Sequence, residues 1–310
     1  MPEPAQHPAT DVQVAPVEVA ELPHAAQVLA EAERAAGGEL VDEAERRRLT
    51  TAAQDPGRAD PRWRPLLAHL GGEVVGYAAL VVDADARAAV GDVAPAPSAP
   101  DGPAVLAALL AALADHAAPA SRVQVWARRV GADHLAAAGG VGYAVHRRLG
   151  VLGRELPVEG PAPDAPVPIR ASRPGDDDAE IVRVLAAAYE GTDDGGWDLD
   201  RFHERTGWDW FRAEDLLVAD AGDGRLLGLH WTKRRDAATG EVHNLAVAPG
   251  GQGRGLGPAL LRAGLDHLAD VGCTEVVLWV DRANARAVQL YERAGFTTRW
   301  DDVALTTTRP

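Results

Sequence analysis

An internal repeat constrains the fold of this 310-residue chain more than any other feature. Three pairs of landmarks recur at nearly the same spacing: Gly76 and Gly228, Trp126 and Trp279, and Gly142 and Gly295. Their offsets are 152, 153 and 153 residues, and the first pair lies in alternating apolar segments typical of β-strands. The agreement predicts an α/β class with a mixed sheet, built as two copies of one unit. Each copy is predicted as a strand, one or two helices, a three-strand meander, a helix, a strand, a helix and a terminal strand.

A proline-rich stretch from Pro157 to Pro168 separates the two copies. Prolines disfavour both helix and sheet and suit an extended linker. The chain length also suits two domains of ordinary size. We therefore predict a first domain over residues 11–156, a linker over residues 157–168 and a second domain over residues 169–310.

Composition narrows the class of partner. The formal net charge is −15 and the pI is about 5.1, which argues against a nucleic-acid partner and favours a small polar or cationic substrate. No apolar run of membrane length and no signal-peptide pattern are present, so we expect a cytoplasmic monomer with no membrane partner. The single cysteine, Cys273, cannot form an intrachain disulfide, and no His/Cys spacing predicts a metal site.

A glycine-rich loop in the second copy lies between a strand-like run, Val242 to Val247, and a helical run, Pro258 to Ala269. Its sequence is Gln252-Gly253-Arg254-Gly255-Leu256-Gly257. Glycines let the backbone turn tightly, and the unpaired N–H groups of a helix's first turn attract an anion such as pyrophosphate. The spacing Gly-x-Gly-x-Gly fits neither a P-loop nor a dinucleotide fingerprint. The loop therefore predicts a phosphate cradle, with an ordinary glycine-rich turn as the alternative.

Residues on both sides of this loop resemble a known superfamily. Val247-Ala248-Pro249 precedes the loop, and a second group follows it: Asn284, Ala287, Val288, Leu290, Tyr291, Gly295 and Phe296. Together they resemble the acetyl-CoA signature of the GNAT superfamily of N-acetyltransferases. The resemblance implies that the loop amides bind the pyrophosphate of acetyl-CoA, and that a splayed strand before the loop aligns the thioester.

The first copy lacks this loop. At an offset of 153 residues, the corresponding segment is Ala99 to Ala104. Pro100 and Pro103 remove N–H donors there, and Asp101 places a negative charge at the position that Arg254 occupies in the second copy. We predict that the first copy has a structural and substrate-shaping role; weak acetyl-CoA binding without turnover is the alternative.

Acetyl transfer to an amine needs an unprotonated amine, a polarised thioester carbonyl and a proton for the leaving thiolate. Glu241 begins the strand that ends at the loop, so we predict that it is the general base, directly or through a water molecule. His243 competes for this role because a free imidazole titrates nearer neutrality. Strand alternation predicts that Glu241 and His243 share one face and that Val242 and Asn244 share the other.

Three residues of the following helix complete the predicted site. The superfamily often keeps a tyrosine near the sulfur, which implies Tyr291 as the general acid; a core tyrosine is the alternative. Asn284 and Arg286 begin this helix and are predicted to contact the pantetheine arm or the adenine end. Asn284 could instead serve only as a helix cap.

Three segments of the second copy, residues 208–217, 228–233 and 240–242, resemble the mycothiol synthase family more narrowly, as do the degenerate first copy and the total length. This family acetylates the cysteinyl amine of desacetylmycothiol, Cys-GlcN-inositol, in actinobacteria. The resemblance places substrate contacts at Glu43, Asp193, Lys233 and Glu241. It places acetyl-CoA contacts at Leu245, Ala246 and Val247 and along the loop from Gln252 to Pro258.

The strand before the loop departs from the family pattern. Where the family usually has Tyr-Val-Val-Gly-Val, this chain has His243-Asn244-Leu245-Ala246-Val247, which changes the polarity around the acceptor. Two alternatives therefore stay open. One is a tandem acetyltransferase for another amine, such as an aminoglycoside, a peptide N-terminus or an amino sugar; the other is a non-catalytic acyl-CoA-binding module.

Overall fold

A computed structural model of the chain describes residues 12–192 and 194–308, which form two compact units. Unit 1 ends at Leu149 and also includes the segment from Asp301 onward, whereas unit 2 runs from Gly150 to Trp300. This division reports which residues pack together. The domain limits predicted from the sequence, residues 11–156 and 169–310, stay a prediction.

Unit 1 is a mixed sheet packed with α-helices. Its strands are β1 (Gln13–Pro16), β2 (Trp63–Leu70), β3 (Glu73–Asp83), β4 (Ala88–Pro95), β5 (Arg122–Ala127) and the first half of β6 (Ala144–Glu155). Its helices are α1 (Leu22–Ala36), α2 (Glu43–Gln54), α3 (Gly102–His116) and α4 (Ala132–Gly140). Strands β1 to β4 pair antiparallel in sequence order, and β4 pairs parallel with β5. Residues Val303–Thr308 then pair antiparallel with β5.

Unit 2 repeats this plan. Its strands are β7 (Ile169–Ala171), β8 (Leu216–Asp220), β9 (Leu226–Arg234), β10 (Thr239–Val247), β11 (Glu275–Asp281), the second half of β6 and the start of β12 (Thr297–Thr308). Its helices are α5 (Asp178–Ala188), α6 (Leu199–Thr206), α7 (Leu256–Asp270) and α8 (Ala285–Arg293). Strands β7 to β10 pair antiparallel in order, and β10 pairs parallel with β11.

The predicted α/β fold with a mixed sheet and the predicted repeat are confirmed. Helices α4 and α8 begin 153 residues apart, and so do strands β3 and β9. The landmark glycines Gly76 and Gly228 also have one shared cause. A Cβ atom on Gly76 would lie 2.9 Å from Leu109 of α3, and one on Gly228 would lie 2.8 Å from Leu260 of α7. In each unit, the helix after the meander therefore packs directly on the glycine of the second meander strand.

The core of unit 2 differs on the two faces of its sheet. Helix α7 covers one face with aliphatic side chains, including Leu261 and Leu265. The other face packs an aromatic cluster in which Trp231 is fully buried against Trp197 and Phe202. Among residues 12–192 and 194–308, no helix is long and apolar enough to cross a membrane.

Candidate active site

Strands β10 and β11 separate partway along their length. Among the described residues, their parallel register covers only Thr239–Glu241 with Glu275–Val277, although β10 continues to Val247. Beyond Glu241, β10 stays paired with β9 on its other side. The sheet of unit 2 therefore opens between β10 and β11, next to residues Asn244–Val247. This is the splayed strand that the superfamily resemblance implies.

A β-bulge at His243 changes which side chains of β10 share a face. Val242 and Asn244 lie opposite adjacent residues of β9, Thr232 and Trp231. Adjacent residues of a strand point to opposite faces, so Val242 and Asn244 do too. The prediction that these two side chains share a face is wrong, because alternation alone does not reveal the extra residue of a bulge.

Glu241 is buried among basic groups. Its Oε1 lies 2.9 Å from His243 Nδ1, its Oε2 lies 2.6 Å from Arg235 Nη1, and Lys233 is its register partner on β9. Burial raises the pKa of the Glu241 carboxyl, but His243, Arg235 and Lys233 outweigh burial and lower that pKa to about 2. The predicted pairing of Glu241 with His243 on one face is confirmed, and Glu241 is ionised at neutral pH.

Aromatic rings hold this group of side chains in place. The His243 ring packs edge-to-face against Trp210 and Trp231, with centroids 5.0 and 5.3 Å apart. Lys233 Nζ lies 4.6 Å from the centroid of the Trp210 ring, a cation–π distance. Among the described residues, the buried indole N–H groups of Trp197, Trp210 and Trp231 have no hydrogen-bond partner. Such buried donors without a partner are uncommon in folded proteins.

The glycine-rich loop leads into α7 without a side-chain cap. Gly253 and Gly255 have φ values of +73° and +80°, a left-handed conformation that favours glycine, and Gly255 is the N-cap residue. As a glycine, Gly255 has no side chain that could cap the first turn of α7. Gln252 Nε2 donates to the Val247 carbonyl at 3.3 Å, and Arg286 Nη1 donates to Gln252 Oε1 at 3.2 Å. The first-turn N–H groups are therefore arranged to receive an anion.

Two tyrosines lie near the opening between β10 and β11. Tyr291 is buried and packs against Phe296 with centroids 5.7 Å apart. Burial, and to a smaller extent Tyr189, raises the pKa of the Tyr291 phenol, so the phenol is protonated at neutral pH. The Tyr189 hydroxyl accepts from Asn244 Nδ2 at 3.2 Å and also hydrogen bonds the backbone of Leu245. Sequence reasoning missed Tyr189, because it precedes Asn244 by 55 residues and belongs to no quoted motif.

The remaining predicted residues have varied placements. Asn284 is the N-cap of α8, and its side chain accepts from the Ala287 N–H at 3.1 Å, while its predicted contact with acetyl-CoA stays a prediction. Glu43 begins helix α2 in unit 1, where a carboxylate interacts favourably with the helix dipole. Asp193 lies outside the described residues. Of the predicted residues, the structure brings Glu241 and His243 of β10 together with Lys233 of the neighbouring strand β9.

Comparison with known proteins identifies the family. A family model described as the Acetyltransferase (GNAT) family matches residues 180–296. A protein of Actinosynnema mirum named mycothiol acetyltransferase is 39% identical over 285 residues, which is 88% of this chain and 91% of that protein. A Frankia alni protein of the same name is 35% identical, covering 89% of this chain and 88% of the relative. This chain belongs to the mycothiol acetyltransferase family. It is therefore a GNAT acetyltransferase, and its fold implies the use of acetyl-CoA.

Solved structures agree with this fold. A GCN5-related N-acetyltransferase from Sphaerobacter thermophilus superposes with a TM-score of 0.68 at 23% identity, covering 96% of each chain. A tandem GNAT protein from the clavulanic acid biosynthesis pathway superposes with a TM-score of 0.65 at 16% identity, covering 97% of this chain and 99% of that one. At these identities the likeness extends to the fold alone. It agrees with the two GNAT-like units of this mycothiol acetyltransferase family member.

Proposed function

We propose that this chain transfers the acetyl group of acetyl-CoA directly to the cysteinyl amine of desacetylmycothiol, Cys-GlcN-inositol. The observation that carries the proposal is the extent of the match. Relatives named mycothiol acetyltransferase align with 88% of the chain, and therefore with residues of both units rather than one acetyltransferase domain. A shared acceptor is the simplest reason for relatives to keep the degenerate unit as well.

The geometry of unit 2 supports acetyl-CoA binding at the loop. Helix α7 begins without a side-chain cap, so the amides of residues 252–257 are suited to the pyrophosphate. Pro258 lies in the first turn, where a missing N–H costs no helical hydrogen bond. Residues Leu245, Ala246 and Val247 line the opening between β10 and β11 and would bind the pantetheine arm. Arg286, joined to Gln252, would contribute a positive charge beside the phosphates.

The chemistry of the acceptor fits the side chains around Glu241. A hydroxyl-rich molecule with one ammonium group needs carboxylates together with hydrogen-bond donors. Glu241 and Lys233 supply one of each as register partners. The family resemblance adds Glu43 and Asp193 to this set.

The proposed reaction uses only side chains of this chain and the two substrates. The Glu241–His243 pair receives the proton of the acceptor ammonium group, and Tyr291, kept protonated by burial, supplies a proton to the leaving thiolate. We propose that no metal takes part; among the described residues, no group of three or more His, Cys, Asp or Glu side chains could hold one. We also propose that the enzyme is a cytoplasmic monomer without nucleic-acid or membrane partners.

A thiol-release assay tests the proposed acceptor. Acetyl-CoA is supplied with each of four kinds of amine: desacetylmycothiol, glucosamine, an aminoglycoside and a peptide with a free N-terminus. We expect desacetylmycothiol to give the highest kcat/KM, with N-acetylation of its cysteinyl residue confirmed by mass spectrometry. Higher kcat/KM with another amine would assign the enzyme to that acceptor and refute the proposal.

A further inference from the structure

We propose that His243, rather than Glu241, accepts the proton of the acceptor ammonium group, and that Glu241 holds His243 in the tautomer that can do so. The inference rests on the proposed acetyl transfer to an amine, but it holds for any amine acceptor. It reverses the order of the two candidate bases expected from the sequence.

Glu241 is poorly matched to the role of base. A general base works best when its pKa lies near the working pH. The pKa of the Glu241 carboxyl is lowered to about 2, because the effects of His243, Arg235 and Lys233 outweigh burial. Taking up a proton would also leave the buried contact with Arg235 Nη1, at 2.6 Å, without its negative charge.

The same ionised carboxylate fixes the tautomer of His243. A carboxylate can only accept hydrogen bonds, so the 2.9 Å contact between Glu241 Oε1 and His243 Nδ1 places the ring proton on Nδ1. A neutral imidazole carries one N–H, and Nε2 therefore keeps a free lone pair. When Nε2 takes up a proton, the carboxylate stabilises the imidazolium that forms, as in other carboxylate–histidine pairs.

The surroundings of His243 suit this task. Its side chain is 19% exposed, whereas that of Glu241 is 9% exposed, so the imidazole is the more accessible of the two bases. The bulge leaves His243 without a register partner on β9. Trp210 and Trp231 fix the ring from two sides. Among the described residues, the charged groups that act on Glu241 beside His243 are Lys233 on β9 and Arg235, which follows β9.

The proton balance of the step is complete. The ammonium nitrogen loses one proton to Nε2, and the free amine attacks the thioester carbonyl carbon to form the C–N bond. Collapse of the tetrahedral adduct breaks the C–S bond, and the sulfur leaves with its electron pair and takes a proton from Tyr291. The new amide nitrogen loses its second proton, which restores the phenol, and His243 later returns its proton to solvent.

Kinetics of His243→Ala and Glu241→Gln test the assignment. We expect His243→Ala to lower kcat by about 10²-fold with little change in the KM for acetyl-CoA, because only proton transfer is lost. Added imidazole should restore at least about tenfold of that loss, an effect that a merely structural role for His243 would not produce. Glu241→Gln should lower kcat by only about tenfold, since the amide oxygen can still accept from Nδ1–H but cannot neutralise the imidazolium.

The pH dependence of kcat adds an independent measurement. In the wild type, kcat should fall as the pH is lowered, because a base that is already protonated cannot take up the proton of the ammonium group. This dependence should weaken in His243→Ala, whereas ionisation of the acceptor amine affects both proteins equally. If Glu241 were the base, His243→Ala would remove one of the groups that lower the pKa of the Glu241 carboxyl, so the acid limb would move to higher pH instead of weakening.

His203→Ala is the matched control. His203 also contacts a carboxylate, Asp178, at 3.0 Å, but it lies on α6 and should keep wild-type kcat. If His243→Ala fails to fold, His243→Gln replaces it. Wild-type kcat in the His243 variant, or a larger loss in Glu241→Gln with no rescue by imidazole, would overturn the proposal. Turnover of glucosamine but not desacetylmycothiol would refute only the proposed acceptor, and the His243 test would then use glucosamine.

Discussion

The two units share one fold, but their equivalent helices begin in different ways. In unit 1, Asp101 is the N-cap of α3, and its carboxylate accepts from the Ala104 N–H at 3.0 Å. Pro103 in the same first turn has no N–H to offer. In unit 2, Gly255 takes the N-cap position of α7 and no side chain caps the helix. When the two helices are aligned at their N-caps, Asp101 therefore corresponds to Gly255. The repeat spacing of 153 residues had predicted that Asp101 corresponds to the preceding residue, Arg254.

The sheets differ at the same place. In unit 1, β4 and β5 stay in parallel register from Ala88–Val93 to Arg122–Ala127. In the described part of unit 2, the equivalent register covers only Thr239–Glu241 and Glu275–Val277. In unit 1, the Asp101 cap and the longer pairing of β4 with β5 both satisfy backbone groups within the chain. Capping and strand pairing each stabilise a fold. A binding site of this kind keeps backbone groups unsatisfied, whereas unit 1 satisfies the equivalent groups within the chain.

Gly255→Asp would give helix α7 of unit 2 the same N-cap residue as helix α3 of unit 1. We expect it to have the largest effect of these variants on the affinity for acetyl-CoA. The carboxylate would occupy the anion position and repel the pyrophosphate, and loss of two charge-assisted hydrogen bonds would weaken Kd by about 10²-fold or more. Calorimetry measures this Kd. Gly224→Asp is the control, because Gly224 has a similar φ of +82° with no atom near its Cβ position. Unchanged Kd in Gly255→Asp would locate acetyl-CoA elsewhere.

Tyr291→Phe sharpens the comparison at the proton donor, because an offset of 153 residues places the buried Ala138 at this position in unit 1. We expect kcat to fall by about 10- to 10²-fold with an unchanged KM for acetyl-CoA, since the phenol acts only in breakdown of the adduct. Steady-state thiol release measures both constants. Tyr189→Phe serves as the paired variant, and a larger loss there would assign the donor role to Tyr189.

Glu43→Ala tests whether unit 1 contributes to the acceptor site. Loss of one charge-assisted hydrogen bond, roughly 1.5–3 kcal/mol, would raise the KM for desacetylmycothiol about ten- to hundredfold and leave the KM for acetyl-CoA unchanged. Asp133→Ala is the matched control, since Asp133 is also an acidic residue in the first turn of a unit 1 helix. Equal kinetics for the two variants would remove Glu43 from the substrate contacts.

Asp101→Gly should have the smallest effect. Replacing an N-cap aspartate by glycine costs a few tenths of a kcal/mol, so the melting temperature should change little. We expect no second acetyl-CoA to bind, because β4 and β5 stay paired to Val93 and Pro103 remains. A second equivalent in calorimetry would show that the cap alone closes unit 1.

The sequence predicted the elements whose causes are local. The paired glycines coincide with close packing of a helix on the second meander strand, and the predicted cradle was inferred from glycines between a strand and a helix. The bulge at His243 and the approach of Tyr189 to Asn244 depend on register and packing between distant segments. No local pattern specifies such contacts, and they decide how Glu241 and His243 divide the proposed role of base.

Residues Val303–Thr308, which pair with β5, have a consequence for the order of synthesis. Strand β5 is translated more than 170 residues before its partner. On the ribosome, this edge of β5 lacks its final partner until the whole of unit 2 has been made. An unpaired strand edge invites association with other chains. Nascent unit 1 is therefore the part of this enzyme for which a chaperone that shields exposed β-edges would matter most.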